Sequence, residues 1–150
     1  MNIISDKDLK REIILDNYQN PTNRGLLNSS YYLKENTNNE SCIDNLDIEL
    51  KVENDIITDI RFDGEACAIS TSATSIMIKT LIGKTTTEAR KILQNYDNMI
   101  EEKEYDSDIL GELIVYDEIY KQPNRKRCAL LPRDAIVKML NRLDESTNLD

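Results

Sequence analysis

Three cysteines and one aspartate are the residues whose types and placement could do chemistry. They are Cys42 and Asp44 in Ser41-Cys42-Ile43-Asp44, Cys67 in Gly64-Glu65-Ala66-Cys67-Ala68-Ile69-Ser70, and Cys128 in Arg127-Cys128-Ala129. Each cysteine falls where one predicted element gives way to another, and such junctions are where chemistry is usually mounted. The chain contains no histidine. That removes the commonest general base and the commonest nitrogen ligand, so neither a Cys-His nucleophile nor a histidine-containing zinc site can be built from this chain alone. Two readings of the thiols remain open on spacing. In one, each cysteine is a small buried hydrophobe. In the other, Cys42, Asp44, Cys67 and Cys128 form a single site, three thiolates and a carboxylate filling a tetrahedral zinc position, with the carboxylate the hardest and most easily displaced ligand. The paired CxxC signal of a zinc ribbon is absent. Arg125, Lys126 and Arg127 would favour thiolate over thiol at Cys128, although for Lys126 and Arg127 a solvated basic turn is the plainer reading.

The elements that must position these residues follow from periodicity. Leu46, Ile48, Leu50 and Val52 alternate with Asp47, Glu49 and Lys51, the period-two pattern of a strand with one buried face. After the turn Glu53-Asn54-Asp55, Ile56, Thr58, Ile60 and Phe62 alternate with Ile57, Asp59 and Arg61, so the two runs predict an antiparallel hairpin. Cys42-x-Asp44 precedes its first strand and Cys67 follows its second. The hairpin therefore brings Cys42, Asp44 and Cys67 together, whereas Cys128 can join only through the fold.

Helices account for most of the remainder. Leu9, Ile13, Ile14 and Tyr18 give an apolar stripe over 6–19, stopped by Asn20-Pro21 and Gly25. Residues 26–41 read as an irregular connection with a short edge strand around Tyr31 to Lys34. A helix over 70–82 has Ser70 or Thr71 as N-cap and Gly83 as its stop. The next starts at Thr85 with Glu88 completing a capping box. Residues 101–122 are acidic and less regular, ordered by docking and closed by Pro123. Pro132 suits the first turn of a last helix, and the tail from Glu145 reads as frayed.

Composition narrows the classes of function. A chain of 150 residues with a net charge of −9 predicts one domain over 1–150 and lacks the clustered cations of a nucleic-acid binder. No window approaches the roughly 18 apolar residues of a spanning helix, an acidic lipid surface would repel the chain, and the N-terminus lacks a signal peptide's basic start and apolar run. A soluble cytoplasmic protein is expected. Its reducing surroundings favour metal ligands, catalytic groups or buried thiols over a disulfide.

Four motifs together resemble one family along nearly the whole chain: Tyr18-x-Asn20-Pro21-x-Asn23-x-Gly25, Cys42-x-Asp44, Phe62-x-Gly64-Glu65-x-Cys67-x-Ile69-Ser70, and Arg125-x-x-Cys128-Ala129. They are similar to the IscU/SufU (NifU N-terminal-like) family of iron–sulfur cluster assembly proteins. Arg127 replaces the histidine that IscU-type chains place before the last cysteine. The long stretch between Cys67 and Cys128 accommodates the insertion typical of the zinc-containing SufU branch. Ile43 and Ala66 stand where the family has glycine, and both restrict the backbone.

The resemblance implies an α+β fold, a small antiparallel sheet packed against helices, and zinc held by Cys42, Asp44, Cys67 and Cys128. It further implies a sulfurtransferase that accepts persulfide sulfur from a pyridoxal-phosphate-dependent, SufS-like cysteine desulfurase and works with downstream iron–sulfur assembly proteins. Cys42 is then the candidate acceptor, Asp44 a labile ligand and orienter, and Arg125 a partner of the site. Two alternatives stand beside it: a scaffold carrying a transient iron–sulfur cluster on the same four ligands, and a zinc-stabilised interaction domain.

Overall fold

The hairpin is the centre of the architecture. In the computed structural model, which describes residues 6–37 and 44–148, strands β2 (Asn45–Glu53) and β3 (Ile56–Glu65) pair antiparallel, and a short β1 (Leu33–Asn36) adds to the free edge of β2. The sheet order is β1-β2-β3. Around it lie α1 (Lys7–Gln19), α2 (Ala68–Leu81), α3 (Thr86–Ile100), three short 3-10 turns between 107 and 121, and α4 (Pro123–Asn148). The fold is α+β. No helix among the described residues is long and apolar enough to cross a membrane.

Leu46, Ile48 and Leu50 of β2 face the core with Ile57, Ile60 and Phe62 of β3. Simple alternation along β3 would bury Ile56 and Thr58, yet Ile56 is exposed and Ile57 is buried. The cause is a bulge: Val52 pairs with Ile57 and Lys51 with Asp59, leaving Thr58 as the extra residue and reversing the faces beyond it. A second departure is Glu49, placed on the polar side by alternation and in fact buried. Its two carboxylate oxygens accept the backbone N–H groups of Leu27 and Asn28, each at 2.8 Å, so the connection after α1 is clamped over it. β1 itself lies two residues beyond the predicted edge strand.

The outer edge of β3 is covered by the segment carrying the Asn20-Pro21-x-Asn23-x-Gly25 motif. Gly25 donates its N–H to the Phe62 carbonyl at 2.7 Å, Phe62 donates to the Asn23 carbonyl at 3.2 Å, and Arg24 pairs with Phe62 as a parallel bridge. Pairing this edge removes a template for strand addition. On α1, Ile13 and Ile14 pack on the core while Leu9 and Tyr18 face solvent. The expected stripe is thus narrower, because the buried Asn17 anchors the helix instead, its Oδ1 accepting from Ser75 Oγ at 2.7 Å.

Three helix boundaries decide where the thiols sit. α2 starts two residues earlier than its hydroxyl-bearing residues suggest: the N-cap is Cys67, whose sulfur accepts the Ser70 N–H, and neither Ser70 nor Thr71 caps it. The Thr85–Glu88 capping box forms as predicted, and the Thr85 N–H holds the Glu88 carboxyl below its usual range. α4 begins at Pro123, so Pro132 lies inside the helix rather than in its first turn, and Cys128 is a helical residue rather than a junction residue. That helix continues past Glu145 to Asn148, where fraying is expected from sequence.

Behind the hairpin, α2 packs between α1 and α4 with Ala73, Ile76, Met77 and Leu81 fully buried. Tyr96 of α3 and Tyr116 meet edge to face, ring centroids 6.3 Å apart, closing the core on the far side.

Gly64 is the one residue of the hairpin that tolerates no side chain. Its φ is +127°, and a Cβ built on it would collide with the backbone oxygen of Asn45 on the facing strand. Both the strained backbone region and the collision sit next to the candidate site. We expect Gly64→Ala to cost about 2 kcal/mol or more, measured as a lower urea midpoint by circular dichroism; an unchanged midpoint would show that the strands have room to part.

Candidate metal centre

The pairing of Asn45 with Glu65 sets the ends of the hairpin side by side, which places Asp44, just before β2, against Cys67, just after β3. The contact is direct: the Cys67 N–H donates to Asp44 Oδ1 at 2.6 Å. Cys67 opens α2, and one turn on Ser70 returns to the same point, its N–H donating to Cys67 Sγ at 3.4 Å and its hydroxyl to Asp44 Oδ2 at 2.6 Å. Asp44 thereby works as a second acceptor at the N-terminus of α2, where unpaired N–H groups and the helix dipole favour negative charge.

Cys128 arrives from α4, in its second turn, because α4 packs along α2. Its carbonyl lies 3.0 Å from Ser70 Oγ. One ligand atom from each of Asp44, Cys67 and Cys128 lies within 4.8 Å of the others. Asp44 and Cys128 are buried and Cys67 is half-buried. Both cysteines are free thiols. Two soft sulfurs and one hard oxygen converging in this way fit a tetrahedral ion such as zinc, with one position left for a fourth donor.

The other sequence-derived candidates fare differently. Cys42 and Ile43 lie outside the described residues. Arg125 is exposed, one turn before Cys128, and among the described residues its side chain makes no hydrogen bond or ion pair, so it is not joined to the cluster there. Lys126 is half-buried within α4 and pairs with Glu101 at 3.5 Å, so it is not the residue of a solvated turn that the sequence suggests, whereas Arg127 is exposed. Ala66 is not among the residues with positive φ, so its backbone does not need the freedom of glycine.

Behind the cluster lie hydroxyls for which the sequence suggests at most a capping role, at Ser70. Ser70, Ser72, Thr74 and Ser75 are all buried on α2. Ser72 Oγ shares a short hydrogen bond with the Tyr116 hydroxyl, and the Tyr96 hydroxyl donates to the carbonyl of Ala129, next to Cys128, at 2.8 Å. Burial pushes Tyr116 well above the usual tyrosine range, opposed by its Ser72 bond and assisted by Cys67, and burial raises Tyr96 likewise. Both phenols stay protonated at neutral pH. The spacing of Cys67 and Ser70, N-cap to third helical residue, is the signal that could have revealed Ser70.

The three-stranded sheet with its covering helices is an architecture found in a known group of domains. The chain belongs to the NifU-like N terminal domain family, which matches residues 9–129. It is 36% identical over 131 residues to the zinc-dependent sulfurtransferase SufU of Bacillus subtilis, covering 87% of this chain and 88% of that one. It is 27% identical over 137 residues to the iron–sulfur cluster assembly scaffold protein IscU of Thermotoga maritima, covering 91% and 96%. Among solved structures, a putative iron–sulfur cluster assembly scaffold protein for the SUF system from Fervidobacterium islandicum superposes with a TM-score of 0.79 at 33% identity, covering 86% of this chain and 94% of that one. The N-terminal NifU-like protein of Brucella abortus, at 21% identity and a TM-score of 0.81, shares the fold.

Asp44 has a structural task that does not depend on metal. Asp44→Ala removes the acceptor of the Cys67 N–H and of the Ser70 hydroxyl, and we expect it to lower stability by about 1–3 kcal/mol even with chelator present. Urea denaturation of both proteins in excess chelator measures this; equal midpoints would confine Asp44 to ligation.

Proposed function

We propose that this protein is a zinc-dependent sulfurtransferase of iron–sulfur cluster assembly, taking persulfide sulfur from a SufS-like, pyridoxal-phosphate-dependent cysteine desulfurase. The observation that carries the reading is the convergence of Asp44, Cys67 and Cys128 in a chain 36% identical to SufU. Cys42 is the fourth ligand and the sulfur acceptor in this reading, two residues before Asp44. When bound by these four residues, zinc keeps the thiols deprotonated at neutral pH.

The chemistry asked of the chain is one exchange. The Cys42 thiolate attacks the terminal sulfur of the desulfurase persulfide, a new sulfur–sulfur bond forms at Cys42, and the desulfurase cysteine leaves as a thiolate. No oxidant is consumed, because the sulfur moves between two cysteines at the same oxidation level. Asp44 would be the most weakly held of the four ligands, since a carboxylate is the hardest donor of the set, and its bonds to Cys67 and Ser70 hold the carboxylate in position. Arg125, exposed one turn before Cys128 and not joined to the cluster, is left to meet the incoming desulfurase persulfide from the surface. Downstream iron–sulfur assembly proteins would receive the sulfur. The alternative, a scaffold for a nascent cluster on the same residues, is favoured by the likeness to IscU of Thermotoga maritima and would give a brown protein on reconstitution with iron and sulfide that passes its cluster to an apo-acceptor.

Metal content tests the first half of the proposal. We expect about one zinc per chain with three sulfurs and one oxygen, zinc–sulfur distances of roughly 2.3 Å by X-ray absorption, and a lower melting temperature after chelation. A first shell without sulfur, or a melting curve indifferent to removal of the metal, counts against it. The second half is tested by persulfide trapping and mass spectrometry with a cognate desulfurase. Cys42→Ala should abolish both the trapped persulfide and the stimulation of the desulfurase, whereas Asp44→Ala should retain zinc more weakly and change turnover. Sulfur trapped on Cys128 in the wild type, with Cys42→Ala still stimulating, would overturn the assignment of Cys42.

A further inference from the structure

The hydrogen-bond ladder of α4 lacks one rung. Residue 132 is proline and has no N–H to give to the carbonyl four residues earlier, and that carbonyl belongs to Cys128. Where the helical donor would act, a side chain from another helix is present: Ser70 Oγ lies 3.0 Å from the Cys128 carbonyl oxygen. The same hydroxyl oxygen is 2.6 Å from Asp44 Oδ2, and the Ser70 N–H points at Cys67 Sγ. One residue thus touches all three members of the cluster, and it is fully buried.

We propose that Ser70 is a positioning residue of the metal centre, its hydroxyl joining the Asp44 carboxylate to the Cys128 carbonyl that Pro132 releases from the α4 ladder. The inference rests on the reading of Asp44, Cys67 and Cys128 as metal ligands. A serine hydroxyl carries a single proton, so the two acceptors share it in a three-centre bond, the closer carboxylate holding the stronger part. The shared proton ties the orientation of the carboxylate to the backbone from which the Cys128 sulfur projects. Two ligands from distant parts of the chain, 44 and 128, are in this way held in one relative placement before any ion binds. A proline inside a helix ordinarily destabilises it, because an N–H is lost and a carbonyl is left without its helical donor. Here that buried carbonyl is used to attach α4 to the corner between β2 and α2.

The test is a cycle of four proteins: wild type, Ser70→Ala, Pro132→Ala and the double variant. Each is measured for zinc affinity by competition with a chromophoric chelator. Each is also measured for the backbone 13C resonance of the Cys128 carbonyl, which reports the donor at that oxygen with or without metal. We expect Ser70→Ala to weaken zinc binding by about tenfold or more and to move the Cys128 carbonyl resonance upfield. In the Pro132→Ala background, where the helix regains the missing N–H, the shift caused by Ser70→Ala should be much smaller. A residue that merely filled space would give the same shift in both backgrounds. Undiminished zinc affinity in Ser70→Ala, or equal shifts in the two backgrounds, overturns the proposal. Should Ser70→Ala fail to fold, Pro132→Ala alone decides: the restored N–H must alter the Cys128 carbonyl resonance, and an unaltered resonance overturns the proposal. A wild type that takes up no zinc instead overturns the reading of the metal centre, and the carbonyl cycle then still decides whether Ser70 and Pro132 act as a pair.

Discussion

A buried carboxylate is the constraint on which this structure turns. Removing a charged group from water costs several kcal/mol unless hydrogen bonds replace its hydration, and Asp44 has no exposed surface. Its replacements include the Cys67 N–H and the Ser70 hydroxyl, one to each oxygen. Both belong to the start of α2, so the charge is met by the positive end of a helix dipole as well as by individual donors. To satisfy Asp44, the start of β2, the end of β3 and the start of α2 must all meet. That meeting point is where the thiols are.

The same matching of donors to acceptors explains the hydroxyl-rich face of α2. A core helix whose buried residues include Ser70, Ser72, Thr74 and Ser75 looks poorly suited to hydrophobic packing. Each of those hydroxyls has a partner: Asp44 and Cys128 for Ser70, Tyr116 for Ser72, the Ser70 carbonyl for Thr74, and Asn17 for Ser75. Satisfied polar groups of this kind specify one arrangement of neighbours where aliphatic side chains would tolerate several. They register α1, α4 and the Tyr116 turn against α2, and so fix the walls of the cluster.

Much of this was legible in the sequence wherever one rule acted alone. The hairpin is readable because each strand buries one face, and with it the approach of Asp44 to Cys67. The Thr85–Glu88 box is readable because both partners are local. Legibility fails where two rules compete. Cys67 caps α2 although serine and threonine nearby are the stronger capping types, because the end of β3 and the bond from its N–H to Asp44 fix it at the start of the helix. Pro132 reads as a helix start and is a helix interior, since the bond it forfeits is replaced by the side chain of Ser70, from a different helix and far away in sequence. Glu49 reads as solvent-facing and is buried, because the backbone it caps belongs to a connection without periodicity. Cys128 joins the cluster through helix packing, and no local pattern contains that information.

The hairpin's register has a consequence for how such a chain can vary. The turn at Asn54-Asp55 lies about ten residues from Asp44, roughly 30 Å away at about 3.3 Å per residue, and touches no ligand. Yet deleting or inserting a single residue in the strands between the bulge and the thiol end would either slide Asp44 out of reach of the Cys67 N–H or turn a strand's apolar residues to the wrong face. The bulge at Thr58 is an insertion already absorbed, and its position close to the turn, away from Gly64, is where the faces can reverse without moving the thiol end. Length in this hairpin is therefore as much a part of the site as the cysteines. Changes of length are tolerated at the turn and at the bulge beside it, while the strand segments that reach from there to Asp44 and Cys67 keep their residue count.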